Sequence, residues 1–470
     1  MDNPKDSPKL TALVLAAGQG TRMKSPLPKV LHPVAGRPMI DRVLRAVKQA
    51  GAGEIRLVVG HGQALVRTVV GSLGVICFEQ KEQQGTAHAV RAGQIETIEG
   101  NVLILNGDHP LLEGRDLQEF VKIFHDEKLD LALVTATVKN PGELGRVVRH
   151  RGDLKAIVEV KDASADTLKI HEVNTGIYLI KAEVLKELLP KIKNHNLKKE
   201  YYLTDLLSLA LEEGYKVQAL TGKPHVAVGV NTQAELARAT RFIFAKKIKE
   251  LMDEGVMVLD PKCTYVEDSV TVGAGSVIYP QSFLRGNTKI GSYSVIEPHV
   301  FISECTIGDS VQIRAGSYLE KSKVHNKCVV GPYARLRPES EIFEEVQIGN
   351  FVELKNAKLG KKSKAAHLAY IGDAEVGEDC NIGCGTIFVN YLPNKEKHRT
   401  RVGNRVFVGS DVQMIAPLEI GDDAVLGAGS VITKDVPARA LAVTRAKQVI
   451  KEDYRPRETE EATDTSESPK

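Results

Sequence analysis

The sequence contains no tryptophan, and aromatic residues make up only 5% of its 470 positions. Its charges nearly cancel, with 63 Lys and Arg against 60 Asp and Glu. Nucleic-acid binders usually carry a basic stripe interleaved with aromatics, so that class is not expected. Long apolar runs are missing near the start: "LTALVLAA" at 10–17 falls well short of the roughly 20 residues that span a bilayer. The polar stretch before it lacks the plan of a secretory leader. Cysteine is sparse and scattered, six in all. Cys380 and Cys384 lie close together without a second pair, which argues against zinc and for free thiols in a reducing cytoplasm. What the sequence does have is 42% hydrophobic residues and 40 glycines, enough for two or three domains. The expectation is a cytoplasmic protein that handles small molecules, with no nucleic acid and no membrane.

Two periods divide the chain. Over 1–230, the apolar runs "LTALVLAA", "EIRLVVG", "VICFEQ", "NVLILNGD" and "LALVTATV" alternate with helical stretches such as 39–49 and 86–95. Continuous apolar strands with helical crossovers imply a mostly parallel sheet covered on both faces, a doubly wound α/β domain. Over 231–254, Thr232 and Glu235 form a capping box. Leu236, Ala239, Ile243, Phe244, Ile248 and Leu251 then share one face, which predicts a linker helix. Over 255–454, aliphatic residues recur every six: Val266, Val272, Ile278, Leu284, Ile290, Ile296 and Ile302, then, after a slip of one, Ile307, Ile313 and Leu319. Val324 to Leu354 and Val402 to Ile432 keep the same step. Such a period fits the hexapeptide β-helix, in which each aliphatic points inward. The repeats suffice for roughly nine coils, a prism ~45 Å long. The segment "NYLPNKEKHRTRVG" from Asn390 cannot stack and should be an ejected loop, where solenoids often carry function. The polar tail 455–470 should be disordered.

The stretch "LAAGQGTRM" at 15–23 follows the first strand. It lacks the third glycine of a dinucleotide fingerprint and the spacing of a Walker loop. A glycine turn with Arg22, Lys24 and Lys29 nearby suits a nucleoside triphosphate held by backbone amides and cations. A plain turn with solvated cations is the other reading. Asp108 closes the strand "NVLILNGD", where α/β sheets present ligands; it could equally cap the next segment. His367, in "SKAAHLAY", suits a base near neutral pH. A structural histidine, with Arg337 and Lys355 as solvated cations, is the alternative.

The run "LAAGQGTRMKSPLPKVLHPVAGRPMI" resembles the signature of sugar-1-phosphate nucleotidyltransferases. With "EQQGTAHAV", "NGDHPLL", "GELGRVV", "IVEVKDA", "EVNTGIYL" and "EYYLTDLL", and with "GPYARLRPESEI" and "VFVGSDVQMIAPLEIG" in the second half, residues from about 10 to 450 are similar to the family of bifunctional N-acetylglucosamine-1-phosphate uridyltransferases / glucosamine-1-phosphate N-acetyltransferases. The resemblance implies a Rossmann-like nucleotidyltransferase domain and a left-handed parallel β-helix. It implies Mg²⁺ on Asp108 and Asn231, and uracil against Leu15, Ala17, Gly18, Gln80, Gly85 and Thr86. Arg22 and Lys29 would meet the phosphates, and Gly145, Glu159 and Asn174 the sugar phosphate. For the second site it implies His367 as base, Arg337 and Lys355 on the phosphate, and Tyr370, Asn381 and Asn390 on the sugar. Lys397 would come from a neighbouring subunit of a homotrimer. Cys384 would supply a backbone N–H to the oxyanion, and Ser410, Ala428 and Arg445 would meet acetyl-CoA. The co-substrates implied are acetyl-CoA and UTP, acting on glucosamine-1-phosphate and N-acetylglucosamine-1-phosphate, with a product that feeds cell-envelope polysaccharide.

The sequence departs from the family in two places. It has "NYLP" where "NYDG" is usual, in a loop one residue longer, which shifts the register around Lys397. It has Cys384 where Ala is common. Two rival readings are a single-activity nucleotidyltransferase with a regulatory β-helix and a non-enzymatic scaffold of the same layout. The first has no need of His367, Arg337 and Lys355 together, and the second has no need of Lys29 and Asp108.

Overall fold

The computed structural model describes residues 9–452 and 454; the tail expected to be disordered, 455–470, lies outside the described residues. The chain divides into two compact units. The first ends at Thr271 and takes in Phe283–Asn287; the second starts at Val272 and holds the rest.

In the first unit, strands β1 (Leu10–Ala16), β2 (Glu54–Val59), β3 (Ile76–Glu79), β4 (Asn101–Asn106) and β5 (Leu131–Thr137) coincide with the apolar runs. A hairpin, β6 (Arg146–His150) and β7 (Asp153–Val158), is followed by β8 (Glu172–Lys181) and β9 (Val217–Thr221). The sheet order is β9-β5-β8-β4-β1-β2-β3, with the hairpin attached to β8. β1 pairs in parallel with β2 and β4, but β8 runs antiparallel to both β4 and β5. Along its seven-strand path the sheet is mostly parallel, as the strand–helix alternation suggests; what the alternation does not show is the reversed strand, β8, which makes the sheet mixed. A strand buried on both faces reads as a continuous apolar run in either direction, so the sequence pattern cannot give its sense. Separate apolar clusters cover the two faces, one around Val14, Leu57 and Leu105, the other around Leu13, Val58 and Ile104.

The helices that bear on function are α1 (Met39–Gln49), α2 (Thr86–Ala92), α3 (Gly114–Asp126) and α4 (Gln233–Asp253). α2 ends earlier than the 86–95 expected, and a 3₁₀ turn, Ile95–Thr97, follows it. The capping box at the start of α4 forms as read: Thr232 Oγ1 accepts from Glu235 N–H at 3.2 Å, and the Glu235 carboxylate accepts from the N–H of Thr232 at 3.0 Å and of Asn231 at 2.7 Å. The box thus also fixes Asn231. Ala239 and Ile243 of α4 pack with Val34, Met39, Leu111 and Val230 inside the first unit.

The second unit is a parallel β-helix with three faces. Along one face Ile296, Ile313, Val330, Ile348, Ala365, Ile382, Val408 and Leu426 stack in register. A second face stacks Ile302, Leu319, Leu336, Leu354 and Ile371. A third runs from Ile290 through Ile307, Val324, Ile342, Leu359 and Val376 to Val402 and Ile420. The slips in the repeat fall at tight corners, where Glu304 and Lys321 take positive φ of 55° and 44°. The coil between Val376 and Val402 is longer than its neighbours because the segment after Asn390 leaves it; there Tyr391 bridges back to Lys397.

Close stacking sets a local limit at Gly349, beside the strand that carries His367. A Cβ there would lie 1.7 Å from the Ala366 carbonyl oxygen, a backbone atom that cannot step aside. Gly349→Ala is expected to cost about 1–3 kcal/mol, as overpacking does, and to displace the strand that carries His367. Thermal melting checks this.

Two candidate active sites

At the first site the chain leaves β1 through Ala17 and Gly18 and turns at Gly20, whose φ is 65°. A Cβ at Gly20 would meet Lys29 Cβ at 2.6 Å, so the glycine lets Lys29 pack against the loop. A cleft of about 290 Å³ is lined by Leu15, Ala17, Gly18, Lys29, Gln80, Gly85, Thr86 and Asp108. The backbone holds it open: Gln83 Nε2 donates to Ala17 O at 2.7 Å, Gln80 Nε2 to Gly85 O at 3.3 Å, and Leu203 N–H to Thr86 Oγ1 at 2.9 Å. Gly85 takes φ 114°, and a Cβ there would strike Tyr201 O at 2.5 Å, so the position requires glycine on both counts.

Asp108, just past β4, pairs with the Lys29 ammonium. Lys29 Nζ also donates to Asn231 Oδ1 at 2.5 Å, and Arg22 Nη2 donates to the same oxygen at 3.0 Å. Arg22 pairs with Glu143 as well. Burial works against the Asp108 charge, but Lys29 and His109 outweigh it, and the carboxyl is held below its ordinary range. Burial pushes His109 down, against the pull of Asp108, and Lys29 adds to the lowering. Among the described residues, Asp108 Oδ1 is buried without a hydrogen-bond partner, and His109 Nε2 lies 3.6 Å from it. A larger cleft of about 840 Å³ contains Arg22, His109 and Asn231, and shares Asn106 and Asp108 with the first. Gly145, Glu159 and Asn174 form a group of their own: Asn174 N–H donates to Gly145 O at 2.9 Å, and Asn174 Nδ2 to the Tyr178 hydroxyl at 2.8 Å. Burial raises Glu159 above the usual carboxyl range; Lys198 opposes this, and Asp162, Asp205 and Glu200 add to it.

At the second site His367 sits exposed on the strand Lys364–Gly372, in register with Asn350. Its Nδ1 lies 2.8 Å from Asn350 Oδ1. Donation to that oxygen puts the proton on Nδ1 and leaves Nε2 as the basic nitrogen. Arg337 donates to Glu353 at 3.0 Å. Asp373 gathers the rest: Asn356 Nδ2 donates to it at 2.7 Å, Asn390 also donates to it, and Lys355 and Lys397 stand close by. Burial lowers Lys355, Asp373 opposes, and Lys397 and Arg337 add to the lowering. Burial raises Tyr370, against a hydrogen bond with Asn390. Lys397 lies beside Lys355 and Asp373 of its own chain, and Tyr391 forms an isolated bridge with it.

The residues expected to meet acetyl-CoA form a column up one corner. Gly385 N–H donates to Leu368 O at 2.8 Å, Asp411 N–H to Cys384 O at 2.7 Å, and Gly429 N–H to Ser410 O at 2.8 Å. Cys384, Ser410 and Ala428 therefore rise one coil at a time from His367, and Arg445 lies next to Gly429. Asn381 is exposed, in register with Lys364.

Sequence reasoning missed Asp373, His109, Asn350 and Gln83. The first two show no period of their own, and the other two act through partners distant in sequence. Burial disfavours the Asp373 charge, but Asn356, Asn390, Lys355 and Lys397 outweigh it. A carboxyl depressed in the fold stabilises it above the ordinary value of about pH 4 and loses that increment as pH falls through the lower folded value. Asp373→Asn should therefore melt below wild type near neutral pH, with the gap closing as pH falls below the ordinary carboxyl value of about 4; melting temperature against pH checks it.

An α/β unit with a phosphate-sized cation cluster, and a hexapeptide prism bearing an imidazole beside a stacked corner, define a nucleotidyltransferase joined to a hexapeptide-repeat transferase. Residues 12–170 match the MobA-like NTP transferase domain, and 399–434 match the bacterial transferase hexapeptide of six repeats. A "Bifunctional protein GlmU" of Bdellovibrio bacteriovorus is 65% identical over 96% of this chain and 99% of its own. Proteins of the same name from Pelobacter propionicus and Trichlorobacter lovleyi are 45% and 44% identical, over 95% and 94% of this chain and 98% and 96% of theirs. The chain belongs to the GlmU family of bifunctional proteins. Among the described residues, no helix is long and apolar enough to cross a membrane.

Proposed function

We propose that this chain makes UDP-N-acetylglucosamine in two steps at two separate sites. In the first, the amine of glucosamine-1-phosphate attacks the thioester carbonyl of acetyl-CoA. His367 Nε2 takes the amine proton, with Asn350 holding the ring. The tetrahedral intermediate collapses with cleavage of the C–S bond, coenzyme A takes the proton from His367 and leaves as its thiol, and a backbone N–H near Cys384 faces the oxyanion. Arg337 and Lys355 anchor the phosphate, and Tyr370, Asn381 and Asn390 the sugar. Ser410, Ala428 and Arg445 hold acetyl-CoA along the corner.

In the second step, a phosphate oxygen of N-acetylglucosamine-1-phosphate attacks the α-phosphorus of UTP in line, and pyrophosphate leaves. Uracil lies against Leu15, Ala17, Gly18, Gln80, Gly85 and Thr86. Lys29 and Arg22 offset the gathering charge, and Gly145, Glu159 and Asn174 receive the sugar. The residues fit Mg²⁺, which favours one or two carboxylates plus substrate phosphates. Asp108 presents a buried oxygen without a partner, and Asn231 turns an oxygen to the same ammonium. When bound there, the ion would draw charge onto the departing pyrophosphate.

The observation that carries this reading is the presence in one chain of both the Lys29–Asp108–Asn231 cluster and the His367–Asn350 pair. The working form is a cytoplasmic homotrimer, in which a neighbouring prism closes the open side of the second site and Lys397 joins that shared wall. The test supplies glucosamine-1-phosphate, acetyl-CoA, UTP and Mg²⁺ and follows free thiol and pyrophosphate. Both should appear, pyrophosphate only when acetyl-CoA is present. Pyrophosphate release without acetyl-CoA, or no thiol, would contradict it.

A further inference from the structure

The first unit holds a third cavity, of about 390 Å³, between α1, the first turn of α3 and the middle of α4. No substrate of the two proposed reactions is assigned to it. Its walls carry six cations, Arg37, Arg42, Arg45, Arg115, Lys246 and Lys247, against three carboxylates, Glu113, Glu250 and Asp268. Pairing neutralises part of this charge. Asp268 takes Arg42 at 2.7 Å and Arg37 at 3.3 Å, Asp41 behind the wall takes Arg45 at 2.8 Å, and Glu113 takes Arg115 and Lys246. Lys247 is in no ion pair among the described residues. With Asp41 included, the cations still outnumber the carboxylates, six to four.

An uncompensated positive surplus on a concave wall focuses the field and raises the local concentration of anions. Guanidinium forks match phosphate oxygens bidentately, and a lysine adds a point charge. Leu112 and the exposed ring of Phe242 give the cavity an apolar side that a sugar or base could cover. We propose that this cavity is an anion site for a small molecule bearing a doubly charged phosphate or a diphosphate, separate from the UTP cleft. Leu111 and Phe242 line both this cavity and the larger cleft that contains Asp108 and Asn231. An occupant therefore stands one side chain away from the uridylyl site, against the segment that follows Asp108 and the helix that follows Asn231.

Calorimetric titration of the full-length protein with inorganic pyrophosphate tests this. With the phosphate anchor of the acetyl site removed by Arg337→Ala/Lys355→Ala in every protein compared, the otherwise wild-type chain should bind two per chain, one at the UTP cleft and one here. The Arg45→Glu/Lys247→Glu variant should bind one, with unaltered circular dichroism and an unchanged KM for UTP. Conversely, Lys29→Ala should weaken the other class and keep this one. If the double variant does not fold, Lys247→Ala alone should weaken this class about tenfold. Arms with inorganic phosphate and with UDP distinguish a site for the bare anion from one that also grips a nucleoside. A single class in the otherwise wild-type chain, or two classes that survive the charge reversal (or Lys247→Ala), overturns the proposal.

Discussion

His367→Ala is expected to lower acetyl transfer to glucosamine-1-phosphate by about 10²–10⁴-fold, the range for a positioned general base, and to leave UMP transfer at its wild-type rate. The ring is exposed on its strand, so its loss opens no core cavity and stability should hold. Asn350→Ala should act in the same direction but more weakly. It leaves the base in place and frees the tautomer that the 2.8 Å contact to Oδ1 selects. If Asn350 were merely structural, its replacement would move the melting temperature and leave kcat for acetyl transfer unchanged. Coenzyme A thiol release and thermal melting of both variants separate these cases.

Asp108→Ala should remove UMP transfer by on the order of 10²–10³-fold or more, as when a group that stabilises developing charge is lost, and should spare acetyl transfer. The physical reason lies in how the site is held. Asp108 and Lys29 are both largely shielded from water, with side-chain exposures of 17% and 12%. Removing the carboxylate leaves a shielded ammonium without its counter-ion, an arrangement that costs far more than the pair contributes. Lys29 would then turn wholly to Asn231 or leave the cleft, so the phosphate cation and the oxygen pair would be lost together. Asp108→Asn, similar in shape but neutral, should lose nearly as much activity with a smaller fall in melting temperature. Pyrophosphate release from UTP measures the first effect and thermal denaturation the second.

How much of this was legible in the sequence depends on periodicity. The prism was readable residue by residue, because each aliphatic in a step of six meets its neighbour one coil on, as Ile296 meets Ile313. Between Leu354 and Val402 the step was not legible, because the small Ala365 holds a core position between Ile348 and Ile382, although Leu359 and Val376 keep their places in the stack. The capping box at Thr232 was local and therefore readable. The antiparallel sense of β8 was not, since hydrophobicity carries no direction. The two sites were legible mainly as motifs. Leu15 to Thr86, scattered over seventy-odd positions, converge because β1, β2 and β3 lie side by side in that order. Asp373 could not be found by pattern, because its value lies in Asn356, Lys355, Asn390 and Lys397, which only the stacked coils bring to it.

That one chain runs two independent chemistries is tested most directly by mixing. Asp108→Ala and His367→Ala are each supplied with glucosamine-1-phosphate, acetyl-CoA, UTP and Mg²⁺, first alone and then together, and the UDP-sugar is quantified. Alone, each should yield almost none: the first should stop at the acetylated sugar phosphate, the second at unreacted glucosamine-1-phosphate. Together they should restore the product, since the intermediate passes freely from one protein to the other. Product from either variant alone, or none from the mixture, would contradict the account.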